Sequence, residues 1–134
     1  MPEWVAVSVA LAIHDAQLAE HGGAAGMRDL ALLESALARP QNLLAHSQTA
    51  PELADLAAAY AWGIARNHPF GDANKRTSRA VTLTFLELNG HELRADEAEH
   101  VAVWIRLADG SISESEFADW LRHRLAPLSP VQPR

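Results

Sequence analysis

His68-Pro69-Phe70-Gly71-Asp72-Ala73-Asn74-Lys75-Arg76 places a titratable base, a carboxylate, an amide and two cations in nine consecutive residues. An apolar helical pattern leads into the stretch and another leads out, so its centre reads as a loop feeding a helix N-terminus. There, backbone N–H groups and the macrodipole favour an anion. Lys75 and Arg76 fall in the first helical turn, where cations oppose the macrodipole. A bound anion explains that arrangement better than solvation does. Arginine's fork suits bidentate phosphate binding and lysine supplies a mobile point charge. Arg79 lies one turn beyond Arg76 on the same face, either extending the cationic rim or standing as a solvated helix charge.

The other residues of the stretch each carry two readings. The proline after His68 pushes it out of helical geometry into an extended one at the loop entrance. A lone histidine is commonly a plain surface or core residue, but an imidazole beside a phosphate site is a natural general base. Phe70 reads as an apolar anchor for the loop. Asp72 fits either an N-cap or a ligand to Mg²⁺, an ion that takes one or two protein carboxylates plus substrate oxygens. Ala73 leaves room for an incoming phosphate, and Asn74 either caps locally or donates to a phosphate oxygen.

Working outward, the periodicity is helical. Residues 3–20 read as a largely buried first helix with Val5, Val9, Ala12, Ile13 and Ala16 on one stripe, stopping at Gly22-Gly23. Leu30, Leu33, Ala36 and Leu37 mark a short second helix closed by Pro40. Leu53, Leu56, Ala57, Tyr60, Ala61 and Ile64 form an amphipathic third. After the motif, Ala80, Val81, Thr84, Phe85 and Leu88 share one stripe with Leu83 and Leu86 opposite, which predicts a central helix buried all round, capped by Asn89-Gly90. Val101, Trp104, Ile105 and Ala108 mark a fifth helix before Gly110. Ser113 with Glu116 resembles a capping box opening a sixth, with Phe117, Trp120, Leu121 and Leu125 inside. The expected fold is all-α: one domain over residues 1–126, about six helices around a central one, and a disordered proline-rich tail over 127–134. Residues 41–50 are the one place where a flap hairpin fits, with a surface loop as the other reading.

Composition excludes several functions. The 134 residues suit one domain. No apolar run is long enough to span a membrane, and Met1-Pro2-Glu3-Trp4 lacks the basic region of a secretion signal. The absence of cysteine fits a reducing cytoplasm, the expected location. A net charge of −6 argues against direct DNA binding. His14, His21, His46, His91, His100 and His123 show no paired zinc-ligand spacing. His14-Asp15 reads as packing or surface groups, and Trp4, Trp62, Trp104 and Trp120 as core.

The motif resembles the signature of the Fic/Doc (death-on-curing) family, His-x-Phe-x-Asp/Asn-Gly/Ala-Asn-Lys/Gly-Arg. The similarity continues through His14-Asp15, Glu20-His21-Gly22-Gly23, Gly26-Met27-Arg28-Asp29, Leu33-Glu34-Ser35-Ala36, Arg39-Pro40-Gln41 and Phe85-Leu86-Glu87-Leu88-Asn89-Gly90. It implies a small helical bundle that uses ATP and Mg²⁺, with His68 and Asp72 catalytic, Asp72 holding the metal, and Asn74, Lys75, Arg76 and Arg79 binding phosphates. Residues 41–50 would then be a flap that aligns a target peptide. Lysine at 75 matches the Doc-type branch, in which the γ-phosphate is presented to the target. Adenylyl-transferring members have glycine there, and Arg79 matches their second arginine. The resemblance therefore implies a toxin of a toxin–antitoxin pair that phosphorylates a protein hydroxyl, with a threonine of elongation factor Tu as the foremost target and translation arrest as the outcome. Adenylyl transfer, or a catalytically silent anion- or partner-binding module, are the alternatives. No Ser/Thr-x-x-x-Glu-Gly/Asn inhibitory string occurs, so a prevent-host-death-type antitoxin is the expected partner.

Overall fold

Alanine determines which helix lies at the centre. The computed structural model describes residues 1–24, 26, 29–71 and 73–128. Its elements run α1 (Val7–His21), α2 (Leu30–His46), α3 (Leu53–Asn67), α4 (Asn74–Leu88), β1 (His91–Leu93), α5 (Glu97–Asp109), α6 (Glu114–Arg122) and β2 (Leu125–Pro127). The buried residues of α3 face every direction, from Ala54 through Leu56–Ala61 to Gly63, Ile64 and Ala65, and α2, α4, α5 and α6 all pack on it. Small side chains let that many neighbours approach. The expected central helix, α4, is instead one-sided: Thr77, Ser78, Val81, Thr82, Phe85 and Leu86 are buried while Leu88 is exposed. Its first turn carries Lys75 and Arg76, and those charges hold one side at the surface.

Helices α2 and α3 approach each other closely at Gly63. A Cβ there would meet Arg39 Cδ at 2.9 Å and the Ala36 Cα at 3.1 Å. In an ordinary helix Gly→Ala stabilises by about 1 kcal/mol. Here we expect Gly63→Ala to lower the melting temperature, because separating two packed helices costs about 1–3 kcal/mol. A raised melting temperature would show that the two helices part easily.

Several sequence expectations are corrected. Helix α2 does not close at Pro40 but runs on to His46, with Pro40 buried. Core packing there outweighs the amide that proline lacks. The continuation takes residues 41–46 into helix, and 47–50 form no strand, so of the two readings of 41–50 the flap hairpin is absent. The two strands lie elsewhere: β1 and β2 pair antiparallel with Glu92 opposite Ala126. Pro127 thus belongs to a strand, and the Leu128 amide donates to the Gly90 carbonyl at 3.0 Å. The ordered chain passes the expected boundary at 126, and residues 129–134 of the tail lie outside the described residues.

Helix α1 is peripheral. Ala10 and His14 are buried, whereas Val9, Ala12 and Ala16 are exposed. The true inner stripe is Val7, Ala10, Leu11, His14 and Leu18, a spacing obscured because alanine marks either face equally. The phase of α5 shifts in the same way: His100, Val103, Trp104 and Leu107 are buried, and Val101 and Ile105 are exposed. Of the tryptophans, Trp104 is fully in the core while Trp4, Trp62 and Trp120 are half-buried against it. The capping box at Ser113 and Glu116 forms as expected, with both bonds at 3.0 Å. No described helix is long and apolar enough to cross a membrane.

Candidate functional site

Two residues outside glycine have a left-handed backbone among those described, and they bracket the loop of the motif: His68 (φ 49°, ψ 57°) and Ala73 (φ 63°, ψ 26°). Each such conformation costs on the order of 1–3 kcal/mol and persists only where its surroundings impose it. His68 is therefore not extended, as its place before proline suggested. It is the C-cap of α3, with its amide donating to the Ile64 carbonyl at 3.3 Å. Proline excludes a right-handed continuation, and the turn is completed left-handed. The imidazole is thus carried at the end of the most deeply buried helix, exposed to solvent itself while Pro69 and Phe70 behind it are buried.

The loop is closed by Asn74. Its Oδ1 accepts from the Phe70 amide at 3.1 Å and its Nδ2 donates to the Phe70 carbonyl at 3.2 Å. One Nδ2 hydrogen remains for the phosphate contact expected of this residue. Ala73, the N-cap of α4, provides no side-chain cap, and the first turn has no acidic residue. By contrast Asp29, Asp96 and Ser113 cap α2, α5 and α6 with side-chain oxygens. Asp72 lies outside the described residues, and with it the readings of N-cap and metal ligand.

His68, Gly71, Ala73, Asn74, Lys75 and Arg76 line one cavity of about 360 Å³, closed on one side by Ala108 of α5. The structure therefore brings together the His68 imidazole, the N-terminus of α4 and two cations. Such a cavity can seat a phosphate chain beside an imidazole. Arg76 also donates from Nη2 to the Gly22 carbonyl at 3.0 Å, which ties it to the loop after α1. That loop holds the motif at two further points: the Gly71 amide donates to Gly26 O at 3.2 Å and the Asp29 amide to Pro69 O at 3.0 Å.

Arg79 is not brought into this cavity. Its guanidinium forms a two-pronged pair with Glu97 at the start of α5, at 2.8 and 2.6 Å. The bond from Arg79 holds the Glu97 carboxyl below its ordinary range. Glu97 and Ala108 both come to the motif from α5, a helix distant in sequence, and no local spacing signals either contact. Buried His100 of α5 stacks on Trp104, and burial pushes its pKa below the ordinary value. A larger cavity of about 540 Å³ between α2, α3 and α6 is lined by Glu52, Asp55 and Glu114. These acids are paired with Arg122 and Arg39, so that cavity offers nothing to an anion.

A model of the Fic/DOC family matches residues 4–86, which includes the whole motif. The chain is 38% identical over 112 residues to a protein named Protein kinase doc from Escherichia phage P1, covering 84% of this chain and 87% of the phage protein. It is 47% identical over 75 residues to a protein named Toxin Doc from Mycolicibacterium smegmatis, covering 56% of this chain and 58% of that protein.

Proposed function

This chain belongs to the Fic/DOC family, and from that premise we propose that it is a Doc-like toxin that transfers the γ-phosphoryl group of ATP to a protein hydroxyl. The observation that carries this reading is the composition of the cavity at the start of α4. Lys75 and Arg76 are in it with His68, and Arg79 is drawn away by Glu97. A lysine in the first turn occupies the space a glycine would leave to the nucleotide, which favours presenting a terminal phosphate to the base. The acceptor oxygen attacks the γ-phosphorus, its proton passes to the His68 imidazole, and the bond to the β,γ-bridging oxygen breaks to release ADP. Arg76, Lys75 and the helix N-terminus bind the phosphates, and the rigid mount of His68 on α3 keeps the base in reach.

Mg²⁺ fits this site only sparsely. The described lining offers no carboxylate, and no group of three or more His, Asp or Glu placed to hold a metal ion occurs among the described residues. Asp72 together with phosphate oxygens would hold the ion, a donor set Mg²⁺ accepts. It would supply charge neutralisation on the phosphates.

The acceptor we propose is a threonine of elongation factor Tu, with arrest of translation as the consequence and a prevent-host-death-type antitoxin as the inhibitor in trans. Adenylyl transfer is the second reading, favoured by the presence of Arg79. After incubation with ATP and Mg²⁺, elongation factor Tu should gain the intact mass of one phosphoryl group. Gain of an adenylyl group would support the second reading, and an unchanged mass would count against this acceptor.

A further inference from the structure

The two buried residues of α1 are Ala10 and His14, so one of the side chains that seats this helix is an imidazole. Its ring lies flat on Phe70 of the motif loop, with centroids 3.8 Å apart and planes within 7° of each other. Phe70 is 1% exposed, and both of its backbone polar groups are bonded to the Asn74 side chain. A continuous line of contact thus runs from α1 through Phe70 to the first residue of α4. His68 stands two residues before Phe70 in a left-handed conformation that the isolated chain disfavours, so its direction must be imposed by what holds the loop.

We propose that His14 is a positioning residue for the transfer reaction: by stacking on Phe70 it fixes the plane and depth of that ring and, through Pro69, the direction of the His68 imidazole. The proposal rests on the reading of His68 as the base. The geometry favours it over simple space filling. Stacked rings define a plane and a separation, whereas an aliphatic side chain of similar volume fills the same space without orienting its neighbour. Backbone bonds with Gly26 and Asp29 hold the loop at Gly71 and Pro69, and the stack adds a contact from α1 at Phe70 between them. A displacement of the reacting group of the order of 1 Å costs up to about 10²-fold in rate, so a loosened Phe70 is felt in kcat.

The test compares His14→Leu, His14→Gln and His14→Phe in the full chain, well below their melting temperatures. His14→Leu and His14→Gln should lose about 10- to 10²-fold in kcat, with a smaller change in the KM for ATP, because of the phosphate-binding groups on α4 only Asn74 is bonded to Phe70. His14→Phe keeps the stack and should recover most of the rate. In parallel, ring resonances of His68 in the nucleotide-free protein should shift in the Leu and Gln variants and stay in place in the Phe variant. That arm needs no reaction: if wild type transfers nothing, the kinase reading fails and the resonances alone decide whether His14 sets the His68 ring. Unchanged kcat and resonances in His14→Leu would overturn the proposal. So would a Phe variant as impaired as the Leu variant, or losses in kcat that merely follow the fraction unfolded.

Discussion

His68→Ala is expected to lower phosphoryl transfer by about 10²–10⁴-fold while leaving the helical fold and ATP affinity close to wild type. The size follows from removing the group that accepts the acceptor's proton. The selectivity follows from position. His68 is exposed at the C-cap of α3 and lies outside the hydrophobic core, while Pro69 and Phe70 behind it are buried. A left-handed alanine carries a similar backbone penalty to the histidine it replaces, so stability should change little. Single-turnover transfer, circular dichroism and nucleotide titration on the same preparations check this. Equal transfer rates in wild type and variant would remove His68 from the chemistry.

Arg76→Ala should be the next most damaging change, lowering kcat/KM for ATP by about 10- to 10²-fold. That range corresponds to losing charge-assisted hydrogen bonds of about 1.5–3 kcal/mol. Arg76 lines the cavity with His68 and is braced by the Gly22 carbonyl, so it needs little reorganisation to meet a phosphate. Arg79→Ala should cost far less, because the Arg79 guanidinium is engaged by Glu97 and does not line that cavity. The contrast is informative because the two arginines sit one turn apart on the same helix. Equal losses in kcat/KM would place both in the phosphate site and favour adenylyl transfer.

The motif was legible because its chemistry is local. Base, anchor and cations occupy one stretch, and a proline and a helix start define the loop within it. The count of six helices was legible too, since caps such as Ser113 with Glu116 act within one turn. Helix phase was not. In α1 and α3 alanine is so frequent that the apolar stripe has no edge, and only packing decides that Val9 faces water while His14 is covered. Pro40 misled for a related reason: a local stop signal was overridden by burial of the helix around it. The pairing of β1 with β2, the bond between Arg79 and Glu97 and the stack of His14 on Phe70 join residues far apart in the chain. No spacing rule reaches across such distances.

Transfer from ATP labelled at either the α- or the γ-phosphate tests the central claim most directly, because the claim is about which phosphate faces His68. With Lys75 at the mouth of α4 and Arg79 held by Glu97, only the γ-label should reach the protein acceptor, and Lys75→Gly should weaken that transfer. Appearance of the α-label on the acceptor with the wild-type protein would contradict the kinase assignment and make the chain an adenylyltransferase acting through the same base and anion site.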